Sequence, residues 1–159
     1  MALLVIVADQ VTKFAVVAAL REGESQPIIG DLLRLTHIRN TGAAFGMLQG
    51  LGGVLALAAL VGVIAFAAVV VRQPPPMTSL GAALVAAGAS GNLLDRLFRD
   101  GGVVDFVDFR FWPAFNVADS AITVGAILLL WAGMREGSGP AKETSPAGGE
   151  PDEPAHRGS

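Results

Sequence analysis

Residues 51–71 have the sequence LGGVLALAALVGVIAFAAVVV, which contains no charged residue and no proline. A transmembrane α-helix needs about 20 mostly apolar residues to cross a hydrocarbon core that is roughly 30 Å thick. Arg72 follows at once, and three prolines at positions 74–76 prevent the helix from continuing. This stretch therefore predicts a membrane-spanning helix and places the chain among integral membrane proteins.

Three further segments have the length and composition of spanning helices, namely residues 2–20, 78–97 and 117–134. The first contains Asp9 and Lys13, which are four positions apart, so that they share one helix face and can pair. An aspartate and a lysine inside the apolar stretch are unlike a cleavable signal peptide. The predicted fold class is an α-helical integral membrane protein with four transmembrane helices.

The composition agrees with a membrane protein and restricts its chemistry. Of the 159 residues, 52% are hydrophobic and only 16% are charged, whereas about 25% are charged in ordinary soluble domains. The chain has no cysteine and two histidines, which excludes a thiol nucleophile and argues against a metal site built from these residues. We expect no metal and no cofactor, and the net charge of −3 gives no indication of nucleic-acid binding.

Two polar loops have the alternating pattern of β-strands. Apolar and polar side chains alternate along residues 33–38, before the second span, and along residues 103–111, between the third and fourth spans. With four spans, both loops lie on the same side of the membrane. We therefore expect a small extramembrane β platform on that side.

Asp95 and Asp119 are predicted to lie at that same membrane face, because one is near the end of the third span and the other near the start of the fourth. A carboxylate in or near the bilayer is costly and usually has a partner or a function. Two carboxylates held close together cannot both ionise, and the resulting acid and base can activate water for attack on a carbonyl. This pattern indicates an intramembrane aspartic peptidase.

Each aspartate also has a purely structural interpretation. Arg96 could be the counter-ion of the aspartate beside it, and Asn116 or Asp119 could cap the fourth helix. Capping explains one of these two residues more easily than both. Asp105 and Asp108 bracket strand residues and are most simply solvated or turn-forming.

Five short motifs occur in a fixed order: DQVTK at 9–13, NTGAAFG at 40–46, GNLLDR at 91–96, VDF at 104–106 and FNVAD at 115–119. Taken alone, the second motif is most simply an ordinary turn into a helix. Together, over about residues 4–134, the motifs resemble the bacterial lipoprotein signal peptidase family, also called signal peptidase II. The resemblance implies removal of the signal peptide from diacylglyceryl-modified prolipoproteins, by cleavage just before the lipidated cysteine.

The same resemblance implies roles for eight residues: a catalytic dyad of Asp95 and Asp119, substrate binding by Asn40, Asn92, Arg96 and Asn116, and a structural polar pair of Asp9 and Lys13. Which aspartate carries the proton stays open, because a coupled pair titrates as a unit. The implied partners are the prolipoprotein substrates and membrane lipids, with a monomeric enzyme that globomycin-type cyclic peptides inhibit.

The resemblance also implies a multi-pass protein of the bacterial cytoplasmic (inner) membrane, with both termini in the cytoplasm and the active site towards the outer face. We expect residues 1–136 to form the peptidase domain. Residues 137–159 lack an apolar periodicity, so we expect a disordered cytoplasmic tail. The positive-inside rule alone would invert this orientation, since five arginines lie in the loops assigned to the outside: Arg21, Arg34, Arg39, Arg99 and Arg110.

Two other functions are compatible with polar groups in a membrane helix bundle. A proton-coupled transporter uses embedded carboxylates as relays, but its sites tend to lie at the midplane, between repeated or broken helices. A non-enzymatic scaffold uses polar side chains to hold helices together. The first does not fit two carboxylates near an interface without a visible repeat, and the second does not explain why both reach one face.

Overall fold

The computed structural model describes residues 1–41, 57, 60–66, 68, 72, 74–99 and 102–137. The elements in these ranges are helix α1 (Ala2–Ala19), strands β1 (Ser25–Ile29) and β2 (Leu33–Asn40), helix α2 (Pro76–Phe98), strand β3 (Val103–Asp108) and helix α3 (Val117–Gly137). Residues 60–66, between β2 and α2, are also helical.

Three of the described helices are long and apolar enough to cross a membrane: Ala2–Ala19, Pro76–Phe98 and Val117–Arg135. They correspond to the first, third and fourth predicted spans, so the expectation of a helical membrane protein is confirmed. The predicted second span, residues 51–71, lies mostly outside the described residues. Large apolar side chains on the three helices, such as Phe14 of α1, Leu97 of α2 and Leu130 of α3, are exposed, as expected for a surface solvated by lipid.

The extramembrane platform is a three-stranded antiparallel sheet with the strand order β1-β2-β3. Its presence confirms the predicted platform, and β1 is a strand that the alternation did not reveal. The second predicted strand is shorter than expected, because β3 ends at Asp108 and Arg110 has a positive φ of 62°. Few residues other than glycine adopt this conformation, which breaks the extended chain.

Helices α2 and α3 pack closely because glycines lie at their contact. A Cβ atom at Gly81 would lie 2.9 Å from the carbonyl oxygen of Gly125, and one at Gly88 would overlap the carbonyl oxygen of Ala118. Small residues allow helix backbones to approach in this way. The contact brings the beginning of α3 against the second half of α2.

A small apolar cluster joins the end of α1 to the sheet. Val16 and Leu20 pack against Val104 and Phe106 of β3, and all four are buried. The side chain of His37 adds a polar contact, since its Nδ1 lies 3.0 Å from the carbonyl oxygen of Leu20. The sheet is thereby held over the same end of the helices at which α2 finishes and α3 starts.

Candidate active site

A cavity of about 620 Å³ opens where α2, β3 and the beginning of α3 meet. Its polar lining consists of Asn40, Asn92, Arg96, Asp105, Asp119, Ser120 and Thr123. Its apolar lining consists of Val103, Trp112, Pro113, Ala114, Phe115, Ile122 and Val124. The cavity can therefore accept a molecule that has both polar and apolar parts.

Two carboxylates line this cavity, Asp105 from β3 and Asp119 from the first turn of α3. Asn116 connects them, because its Nδ2 donates to Asp105 Oδ1 at 2.8 Å and its Oδ1 accepts from the backbone N–H of Asp119 at 2.9 Å. Asn40 donates to the second oxygen of Asp105 at 2.9 Å. The two carboxylates thus belong to one hydrogen-bonded unit.

Asp119 is fixed by the start of its own helix and by α2. The backbone N–H of Asn116 lies 3.3 Å from Asp119 Oδ2, and the reciprocal bond from the Asp119 N–H completes a capping arrangement. Asn92 of α2 donates from Nδ2 to Asp119 Oδ1 at 2.8 Å. The capping interpretation of Asn116 and Asp119 therefore describes their local geometry, and it coexists with a place in the cavity lining.

Asp105 carries an unusual carboxyl group. Burial raises its pKa to about 7; the hydrogen bond from Asn40 opposes this shift, and the negative charge of Asp119 adds to it. Asp105 is only 3% exposed although it lies on an extramembrane strand. A carboxyl group with such a pKa is protonated in a large fraction of molecules at neutral pH and can act as an acid.

Asp95 lies elsewhere. It is fully buried and is absent from the lining of the cavity. Its Oδ2 accepts from Lys13 Nζ at 2.8 Å and from the Val104 N–H at 3.1 Å, and its Oδ1 accepts from Arg99 Nε at 3.1 Å. Asp95 therefore does not line the cavity with Asp119, contrary to the pairing predicted from the sequence.

Arg96, whose structural alternative was to be the counter-ion of Asp95, lines the cavity, and the charges of Asp119, Asp105 and, least strongly, Asp95 act on it. Its Nη1 donates to the carbonyl oxygen of Asn92 at 3.2 Å. Asp95 forms ion pairs with Lys13 of α1 and with Arg99, four residues further along the chain. Neighbourhood in sequence was a poor guide here, because consecutive residues of a helix point in different directions.

The pair predicted between Asp9 and Lys13 is present, and both side chains are fully buried. Lys13 Nζ lies 2.9 Å from Asp9 Oδ2, 2.8 Å from Asp95 Oδ2 and 3.0 Å from Asn92 Oδ1. The other oxygen of Asp9 accepts from the Ala118 N–H at 2.9 Å. A carboxylate of α1 thus caps the positive end of α3, which stabilises both.

No group of three or more His, Asp or Glu side chains in the described part of the chain is arranged to hold a metal ion. Asp105 and Asp119 line one cavity, at the level where the sheet meets the membrane helices.

Residues 1–135 match the model of the family described as "Signal peptidase (SPase) II". Over 133 residues the chain is 45% identical to the lipoprotein signal peptidase of Moorella thermoacetica, covering 82% of this chain and 88% of that protein. The corresponding protein of Pelotomaculum thermopropionicum is 46% identical over 144 residues, with coverages of 87% and 92%. A solved bacterial membrane enzyme superposes with a TM-score of 0.82 at 33% identity, covering 91% of this chain and 90% of that one. The chain belongs to the signal peptidase II family.

Proposed function

We infer that this protein is an aspartic-type endopeptidase of the bacterial inner membrane that removes the signal peptide from prolipoproteins. Membership of the signal peptidase II family supports this function. The single structural observation that carries it is the pair of carboxylates, Asp105 and Asp119, in one cavity at the membrane boundary. The substrate is a prolipoprotein whose cysteine carries diacylglycerol, and the bond cleaved is the one just before that cysteine.

Our proposal for the catalytic dyad is Asp105 and Asp119, which replaces the expected pair of Asp95 and Asp119. Asp105 lines the cavity and shares Asn116 with Asp119, whereas the oxygens of Asp95 are occupied by Lys13 and by other donors. A carboxylate held by buried cations is poorly suited to exchange protons with a substrate.

In the proposed mechanism Asp105 holds the proton at rest, and Asp119 is the base. Asp119 takes a proton from a water molecule whose oxygen attacks the scissile carbonyl carbon, while Asp105 donates its proton to the carbonyl oxygen. When the tetrahedral intermediate collapses, the carbon–nitrogen bond breaks and the leaving nitrogen receives the proton that Asp119 accepted. One hydroxyl group of the intermediate re-forms the carbonyl and returns its proton to Asp105, which restores the dyad. The raised pKa of Asp105, about 7, supports its role as the acid.

The residues expected to bind substrate have two different roles in this proposal. Asn40, Asn92 and Asn116 donate to the carboxylates of the dyad, so they orient the catalytic groups. Arg96 is the residue proposed to contact the substrate peptide, because it lines the cavity beside the dyad. The apolar lining provides a surface against which the diacylglyceryl chains can lie.

The experiment that tests the function is incubation of the purified protein, in detergent or liposomes, with a diacylglyceryl-modified prolipoprotein. We expect release of the signal peptide, detected by mass spectrometry as a new amino terminus at the lipidated cysteine. The same prolipoprotein without the lipid is the matched control and should remain intact. A transporter or a scaffold would release no peptide from either substrate.

The proposed orientation has both termini in the cytoplasm and the β platform outside. Because the chain has no native cysteine, Gln26→Cys in the exposed part of β1 and Ser145→Cys in the tail can be labelled without background. In intact cells, an impermeant maleimide should react at position 26 and reach position 145 only after lysis. Labelling at position 145 but not at position 26 in intact cells would show that the orientation is opposite to the proposed one.

We propose that residues 1–136 form the peptidase domain and that catalysis does not require residues 137–159. Residues 138–159 lie outside the described residues. Truncation after residue 137 should preserve both turnover and melting temperature, because a segment without an apolar face contributes little buried surface. The full-length chain is the control. Loss of either property in the truncated protein would assign the tail a structural or functional role.

The remaining expectations concern assembly and inhibition. We propose that the enzyme acts as a monomer in contact with membrane lipids, since both carboxylates of one chain line the same cavity. Globomycin-type cyclic peptides should inhibit it, because a molecule with both polar and apolar parts matches the mixed lining of the cavity.

A further inference from the structure

Asn92 lies between a buried charge and the proposed base. Its Oδ1 is 3.0 Å from Lys13 Nζ, and its Nδ2 is 2.8 Å from Asp119 Oδ1. We propose that Lys13 is a positioning residue for the reaction, which fixes the side-chain amide of Asn92 so that its N–H2 group faces Asp119. This inference rests on the proposed role of Asp119 as a catalytic residue.

The identity of Lys13 determines which atom of Asn92 can face it. An ammonium group has three donors and no acceptor, and the three acceptors around it are Asp9 Oδ2, Asp95 Oδ2 and Asn92 Oδ1. The amide nitrogen of Asn92, which is also a donor, would be repelled at that place. The oxygen must therefore point to Lys13.

Asn116 fixes the same orientation from the other side. The backbone N–H of Asp119 can only donate, so the atom of Asn116 that it meets at 2.9 Å is the amide oxygen. The amide nitrogen of Asn116 then faces the carbonyl oxygen of Val104 at 3.3 Å and Asn92 Oδ1 at 3.2 Å. Asn92 Oδ1 consequently receives two donors whose identities do not depend on an assumed amide orientation.

The orientation of Asn92 matters for proton transfer. With N–H2 towards Asp119, Asn92 donates a hydrogen bond that holds the oxygen Oδ1 of this carboxylate in place as an acceptor. With the amide reversed, the oxygens of Asn92 and Asp119 would meet, and only a protonated Asp119 could form that contact. Lys13, which is fully buried and does not line the cavity, would thus influence the dyad through Asn92.

The first test compares Asn92→Asp with Asn92→Leu over a range of pH. In Asn92→Asp, the oxygen that faces Asp119 can donate only when the new carboxyl group is protonated. We expect the ratio of its kcat/KM to that of the wild type to fall about tenfold or more as the pH rises through the range in which the new carboxyl group ionises. Asn92→Leu should be less active by a similar factor at every pH. Equal pH dependence in the two variants would overturn the inference.

The second test keeps the net charge constant and changes only the donor at position 13. Asp9→Asn combined with Lys13→Gln retains a group that can donate to Asn92 Oδ1, whereas Asp9→Asn combined with Lys13→Met does not. In both proteins Asp95 keeps its ion pair with Arg99. We expect kcat of the Gln protein to exceed that of the Met protein by about tenfold, with KM unchanged within about twofold.

The two tests separate the inference from the function on which it rests. If the wild type releases no signal peptide, the proposed function fails. If the wild type is active and the Gln and Met proteins have the same kcat, Lys13 does not act through Asn92 and the inference is wrong. Melting temperatures identify the variants that fold. If Asn92→Asp does not fold, the comparison of the Gln and Met proteins still tests the inference.

Discussion

Asp105→Asn and Asp119→Asn are each expected to reduce signal-peptide release by roughly 100- to 10,000-fold, the range that a positioned acid or base contributes. Asparagine occupies nearly the same volume but does not exchange a proton at neutral pH. Asp105 accepts hydrogen bonds from Asn40 and Asn116, and the amide oxygen of an asparagine at position 105 can retain one of these two bonds. The amide oxygen of an asparagine at position 119 can likewise retain the bond from Asn92. Both variants should therefore remain folded, and the measurement is turnover of a lipid-modified prolipoprotein together with a melting curve.

Two other aspartates serve as controls for this prediction. Asp108 lies at the end of β3 and accepts from Thr36 and from the Arg110 N–H, outside the cavity lining. Asp108→Asn should therefore retain turnover within about threefold, as expected for a residue that takes no part in proton transfer. Asp95→Asn should lower the melting temperature and leave measurable turnover. A folded Asp95→Asn protein as inactive as Asp119→Asn, together with an active Asp105→Asn protein, would return the dyad to Asp95.

The membrane helices could be predicted well, because their apolar composition alone favours transfer of these segments from water into the bilayer. The described spans α1, α2 and α3 begin and end within a few residues of the predicted limits. Strand β1 was missed, because Gln26-Pro27-Ile28-Ile29 does not alternate and a proline removes one ladder donor. Its pairing with β2 depends on partners that a local pattern does not contain.

The site was predicted in part. Depth in the membrane could be inferred for Asp95 and Asp119, since each lies near one end of a span, but depth does not determine the direction in which a side chain points. Asp95 turns towards Lys13 of α1, and no periodicity within α2 reveals that partner. The contacts that Asn92 and Asn116 make with Asp119 agree with the prediction that the third span ends, and the fourth begins, at the same membrane face.

Asp105 had a signal that was overlooked. Along β3 it has the same alternation phase as Val103 and Val107, so it lies on the same face of the strand as two apolar residues. A carboxyl group in the apolar phase of a strand is an exception to the usual pattern, because burying it is costly unless it is hydrogen-bonded. Such exceptions occur at functional sites.

Lys13→Ala is expected to be the most destabilising single substitution in α1. Removing one member of a buried ion pair leaves the other charge uncompensated, typically at a cost of about 3–5 kcal/mol. Here the loss would leave Asp9 and Asp95 facing each other in a region that excludes water, with Arg99 as the cation that remains at Asp95. Thermal unfolding in detergent measures the effect.

Thr12→Val is the matched control for this helix, since the Thr12 hydroxyl donates to the carbonyl oxygen of Ala8 on the same helix. Its melting temperature should stay close to that of the wild type. Asp9→Asn combined with Lys13→Gln should recover stability better than activity, because two neutral amides avoid the unpaired charge yet weaken the hold on Asn92. If Lys13→Ala melts and turns over like the wild type, the buried charges contribute little to either property.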